Sequence, residues 1–262
     1  MSYICGAGSF FTGSIVSITQ GEIRNEEEVN VLLSEITGEI IVNEGDIEVK
    51  GSKIEGKEYG IKVNEHAGIK IANSKVIGEI GIEISEGGEI EIGEKVEIEG
   101  KEVGLKVEGL EARKLEGIKV VGAKALEVGE VEIEGSDIEG EIEVTDGKEV
   151  KIKGSKVEGN IEVREEGRVE IEGSEIEGEG IIVNRDSELK VEGSKIKSEE
   201  IVIEGRVEIE CSEISSEKGI NKEEEEISVI EGSKVLGQII INEGKVEIEG
   251  SEIEGREYGI RV

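Results

Sequence analysis

The chain has 262 residues, a formal net charge of -33, 36 % charged residues and five aromatic side chains. Such an acidic balance excludes nucleic acid as a natural partner, because phosphate binding needs a basic stripe. It also disfavours an anionic membrane surface, and no stretch approaches the ~18 apolar residues of a membrane-spanning helix.

The two cysteines, Cys5 and Cys211, are too few for a disulfide scaffold. The acid is nearly all Glu, with Asp only at 46, 137, 146 and 186. A Glu/Lys/Ile/Val-rich chain without Pro suits a heat-adapted protein or an idealised design. The N-terminus lacks the basic region and compact apolar core of a signal peptide, which implies synthesis in the cytoplasm without Sec export and leaves non-Sec release or surface assembly open.

Residues 1–21 hold no charged side chain and carry Tyr3, Phe10 and Phe11. They read as an uncharged arm that either caps the first coil or docks on another subunit. The segment from Glu26 to Leu33 reads as strand, because Val29 and Val31 fit a two-residue register.

From Ser34 onward a repeat runs to residue 262. Corners are predicted at Ser34, Ser52, Ser74, Glu94, Arg113, Ser136, Ser155, Ser174, Ser194, Ser212, Ser233 and Ser251, 18 to 23 residues apart. Two residues past each stands an aliphatic, from Ile36 and Ile54 through Val96 and Leu115 to Val235 and Ile253. Strict alternation makes each run a half-buried strand, and glycine corners keep the runs short. A period near 20 with three short strands per turn predicts an all-β chain, a single β-solenoid domain over 22–262 with about twelve turns. The corner serines should form an inward ladder of hydroxyls.

The charges support the same register. The residues after successive corners are Asp137, Lys156, Glu175, Lys195, Glu213, Lys234 and Glu252, and Glu132, Lys151, Glu170, Lys190 and Glu208 form a second alternating column. With neighbouring turns ~4.8 Å apart, opposite charges face one another and oppose slippage by a turn. Residues 215–231 break the pattern: Lys222 falls where an inward aliphatic belongs, and Glu223 to Glu226 suggest a loop.

The runs G-S-K-I-E-G-K-E-Y-G-I-K-V (Gly51 to Val63) and G-S-E-I-E-G-R-E-Y-G-I-R-V (Gly250 to Val262) share one order of corner, aliphatic, Gly-Ile and aliphatic. This resembles the right-handed parallel β-helix repeat of the pectate-lyase-like superfamily. The resemblance covers residues 34–262 and implies a right-handed coil, but it is structural. The acidic clusters that those enzymes carry beside Arg, His or calcium have no residue-by-residue counterpart here.

No catalytic constellation emerges. His66 is the only histidine and sits in a polar turn; the four Asp fall in different turns; Tyr59 and Tyr258 are too far apart to form a sugar platform. Zinc and EF-hand spacings and the calcium-roll repeat do not occur, so no metal, cofactor or small-molecule substrate is expected. Cys211 replaces a corner glycine, where a small residue is wanted, and Cys5 lies in the uncharged arm, placed for an intermolecular bond.

Two functions follow from these features. The first is a structural subunit that polymerises head to tail through an open C-terminal turn and the apolar arm. Its interface is expected at Tyr3, Ile4, Cys5, Phe10, Phe11, Tyr258, Ile260 and Val262. The second is a monomeric solenoid scaffold, designed or enzyme-derived, without activity. Particle size in solution separates them.

Overall fold

A computed structural model describes residues 10–12, 15–25, 29–42, 45–64, 67–85, 89–107, 113–128, 130–144, 148–222, 227–241, 245–255 and 259–261. At 10–12, 15–25, 29, 45, 89, 90, 113, 114, 128, 222, 227 and 241 only the backbone course is described. Every regular element among them is a strand, and all the strand pairings described are parallel, stacked as a β-solenoid of about ten turns, close to the twelve expected. The chain divides into two compact units, Met1–Val131 and Glu132–Val262.

In the second unit, alternation decides which side chains enter the core. The strands Glu149–Lys153, Arg168–Glu172, Glu188–Glu192 and Arg206–Glu210 pair in register, so Ile152, Ile171, Val191 and Ile209 form one column. After the corner, Ile138, Val157, Ile176, Ile196, Ile214 and Val235 form a second column. Ile142, Ile161, Ile181, Ile201, Ile220 and Ile239 form a third. All are buried, and each fully buried aliphatic contributes roughly 1.5–3 kcal/mol.

Three short strands per turn appear where the bend breaks the pairing, as in Lys156–Glu158 followed by Ile161–Val163. Elsewhere the second and third strands run together, as in Glu175–Val183. Close packing at this bend demands glycine. A Cβ on Gly159 would lie 2.0 Å from the carbonyl oxygen of Gly140 in the neighbouring coil.

The corner serines do form a hydroxyl ladder. The Ser136 N–H donates to Ser155 Oγ at 3.1 Å, Ser155 to Ser174 at 3.2 Å, Ser174 to Ser194 and Ser194 to Ser212 at 3.1 Å. The ladder continues from Ser212 to Ser233 at 3.1 Å and from Ser233 to Ser251 at 3.0 Å. Each hydroxyl in turn donates to the carbonyl two residues before it, for example Ser174 Oγ to Glu172 O at 2.9 Å. The buried hydroxyl thus has both an acceptor and a donor partner.

The residue before each serine adopts a left-handed backbone, as Gly173 does at φ 57°. Nothing lies within 4 Å of a Cβ placed there, so the corner selects for conformation, not for size. This corrects the reading of Cys211. It is exposed at φ 50°, and the equivalent position in the first unit accepts the large Leu33, also at φ 50°.

Two predicted corners were misplaced. In the first unit, Lys75–Val76 pairs with Glu97–Ile98, which in turn pairs with Lys119–Val120. The corner positions are therefore Val96 and Ile118, not Glu94 and Arg113. Left-handed Lys95 and Gly117 precede them. In these two coils an apolar residue replaces the serine, which erased the Gly-Ser signal. Val96 and Leu115 are buried, but neither occupies the post-corner column.

The expected loop at 215–231 is largely strand: Glu213–Lys222 pairs with Lys195–Ile203, and Ile227–Glu231 pairs with Arg206–Glu210. The surplus residues are absorbed at the bend, where the Gly219 N–H donates to the buried Ser216 Oγ at 3.1 Å. Lys222 does hold the register position of Ile203, while Glu223 to Glu226 lie outside the described residues. At the other extreme of the chain, Phe10–Thr12 and Ile15–Asn25 are strands that pair with Asn30–Leu32 and Glu35–Val42. The charge-free stretch therefore enters the coil stack from residue 10.

Candidate assembly surface

The rung built from Lys245–Glu249, Glu252–Glu254 and Ile260–Arg261 repeats the interior pattern but does not bury it. Val246, Ile248 and Ile253 are only half-buried, and Ile260 is 47 % exposed. Ile230, Val235 and Ile239, the column neighbours of Ile248, Ile253 and Ile260, are at most 2 % exposed. One side of this rung is bonded to the preceding coil, with Gly232 N–H donating to Glu249 O, Gly237 to Glu254 O and Ile239 to Gly259 O. Among the described residues no strand pairs with its other side.

In the first unit, the rung of Phe10–Thr12 and Ile15–Asn25 likewise pairs on one side only, among the described residues. Phe11 takes the register position of buried Val31, and Phe10 that of Asn30 on the outer face. The two phenylalanines expected at the interface thus take adjacent register positions of this rung. Of the other expected interface residues, Ile260 lies on the open rung, whereas Tyr3, Ile4, Cys5, Tyr258 and Val262 fall outside the described residues.

The outer faces carry charge ladders. The register stacks Asp137, Lys156, Glu175, Lys195, Glu213, Lys234 and Glu252 as expected. Cross-coil ion pairs occur at Lys195–Glu175, 4.0 Å, and Lys234–Glu252, 3.8 Å, whereas Lys156 turns along its own strand to Glu158. In the second column Lys151 pairs with Glu170 at 3.9 Å. A further ladder escaped the sequence reading: Arg168 bridges Glu149 at 3.3 Å and Glu188 at 3.6 Å, and Glu188 reaches Arg206 at 3.9 Å.

One column has a single sign over five coils, Glu172, Glu192, Glu210, Glu231 and Glu249. Within it the Glu210 carboxyl is raised from its ordinary value, chiefly by a hydrogen bond with Glu208 and also by lost hydration and the Glu208 charge.

Among the described residues, the most enclosed ion pairs are in the first unit. The Glu83 side chain, 11 % exposed, accepts from Lys62 Nζ at 2.7 Å and Lys106 Nζ at 3.3 Å. Lys62 also lies 4.5 Å from the Tyr59 ring centre. Burial pushes the Glu83 carboxyl up, but the bonds and charges of both lysines outweigh it and hold it below its ordinary value. Burial likewise works to lower Lys62, and Glu83 reverses it, so the ammonium is raised. Tyr59 is raised by burial first and by Glu83 second. Every charge in this group is satisfied by another, which makes it a clasp between coils.

His66 lies outside the described residues, and among those described no cluster of three His, Cys, Asp or Glu has the geometry to hold a metal ion. In comparisons with known proteins, no protein-family model, no curated protein and no solved structure matches the chain.

Proposed function

We propose that this protein is a structural subunit that assembles head to tail into a fibre, the exposed Lys245–Arg261 rung adding to the first rung of another copy. The observation that supports this most directly is Ile260, 47 % exposed in a column whose neighbour Ile239 is fully buried. An open edge with apolar residues at interior register is a template for strand addition. The contact joins two different surfaces, so it propagates without closing. The shared order of corner, aliphatic and bend with the pectate-lyase-like repeat enters this reading as coil architecture alone. The acidic surface then serves solubility, and the ion-pair ladders serve resistance to heat.

Each subunit carries a net charge of -33, so assembly should need salt enough to shorten the screening length to about 10 Å, near 0.1 M. Light scattering and electron microscopy across a salt series test it. Fibres from the full chain, lost on Ile260→Lys, are expected. A particle that stays at 28.2 kDa at every salt concentration would replace this reading with that of a monomeric scaffold.

A further inference from the structure

Three large apolar side chains stand exposed among the described residues, Leu33, Ile182 and Ile260. Leu33 lies over Gly51 at a corner, and Ile260 belongs to the rung already considered. Ile182 belongs to neither. It lies on the outer face of Glu175–Val183, 38 % exposed between buried Ile181 and Val183.

The register places Ile182 in a column of the second unit that runs Glu162, Ile182, Val202, Asn221, Ile240, Arg261. Val202, Asn221 and Ile240 are half-buried. Four successive coils thus put no charge on this column, although the post-corner column of the same coils is charged throughout, as Glu175, Lys195, Glu213 and Lys234. With coils ~4.8 Å apart, the stripe from Ile182 to Ile240 is ~14 Å long.

Its two ends carry opposite sign. Beyond Ile182, Glu162 and Glu143 share the Arg164 guanidinium, at 2.6 and 2.8 Å. Beyond Ile240, Arg261 is exposed and meets no acid among the described residues. Laid against itself end for end, the column sets Ile182 on Ile240, Val202 on Asn221 and Glu162 on Arg261, each contact made twice. Laid against itself in the same direction, it sets Glu162 on Glu162 and Arg261 on Arg261. Charge therefore selects the reversed pairing.

We infer that this stripe is a contact between two copies of the chain, side by side with their coils running in opposite directions, about a two-fold axis between Val202 and Asn221. The same patch serves both copies, so the contact closes on a pair, whereas an end-to-end contact propagates. The face is small, which makes the pair weak and dependent on concentration. Each copy carries -33, so pairing needs salt. The contact stands whether or not the chain also grows head to tail; where it does, the stripe ties fibres together in pairs.

The test is sedimentation equilibrium of the full-length chain at about 0.15 M salt, in an Ile248→Lys background. That substitution charges the half-buried rung, outside the stripe, and blocks end-to-end growth. The mass should climb with concentration from 28.2 kDa towards twice that value. Adding Val202→Lys should hold it at the lower mass, with the thermal midpoint unchanged because the side chain faces outward. Adding Arg261→Glu should raise the dissociation constant about tenfold, since two attractions become two repulsions. Adding Glu162→Lys to that variant should restore it. A single species of 28.2 kDa at every concentration, or a dimer indifferent to Val202→Lys, would overturn the contact. A dimer indifferent to Arg261→Glu would overturn the reversed orientation. Fibres from the parent beside a monomeric Ile248→Lys would leave only the head-to-tail reading standing, and a dimer without parent fibres only this one.

Discussion

The backbone N–H of Ser155 donates to the hydroxyl of Ser174 in the following coil, 3.2 Å away, and both residues are buried. Ser174→Ala keeps the fold but strands that N–H away from water. We expect a loss of about 1–3 kcal/mol, read as a lower urea midpoint with unchanged slope. Ser174→Thr should retain the bond and recover part of the loss. Equal destabilisation by both would point to a steric origin instead.

Ser228 is the converse case. It is 3 % exposed, its Oγ has no hydrogen-bond partner among the described residues, and the register pairs it with Val246. Ser228→Val removes an unsatisfied hydroxyl and extends an aliphatic column. Its thermal midpoint should rise, by the equivalent of about 1–2 kcal/mol. A fall would mean that the hydroxyl has a role its surroundings do not display.

At Cys211 the left-handed backbone, φ 50°, and an exposed thiol separate two explanations of the glycine-like position. If conformation governs it, Cys211→Gly gains about 1 kcal/mol, less a part returned through the looser unfolded chain. Cys211→Ala, though equally small, should gain nothing. Equal gains in the two variants would restore size as the cause.

The Lys62–Glu83–Lys106 clasp links stability to pH at both ends of the scale. Glu83 titrates below its ordinary value, so its contribution is present above the unfolded value and fades as pH falls through the folded one. Lys62 is raised, so its share is complete below the unfolded value and fades as alkaline pH passes through the folded one. Glu83→Gln should cost about 2 kcal/mol at neutral pH, and the difference from the parent should shrink in acid. A pH-independent difference would show that packing, not charge, holds the clasp.

The strand positions were legible because Ile and Val alternate with Glu and Lys, a pattern that only a half-buried strand satisfies. Corners were legible where Gly-Ser marks them and invisible at Val96 and Ile118, where an apolar residue fills the hydroxyl column. The Arg168 ladder went unnoticed because its members sit at strand starts, outside the two columns the charges had suggested. Lys62, Glu83 and Lys106 fall in coils of unequal length, and only the paired register brings them together. As for the assembly surface, the placement of Ile260 could be read from the repeat. That Phe10 and Phe11 continue the strand register of Asn30 and Val31 could have been read only from strand alternation carried back into a stretch without charges.

The hydroxyl ladder also has a direction in time. Both polar backbone groups of a corner serine are met by the coil that follows it, as Ser136 N–H is by Ser155 Oγ and Ser136 O by the Lys156 N–H. A ribosome delivers coils in that same order, so the newest corner waits, two hydrogen bonds short, until the next 18 to 22 residues emerge. Synthesis therefore adds to an edge that is always ready to receive the chain's own continuation.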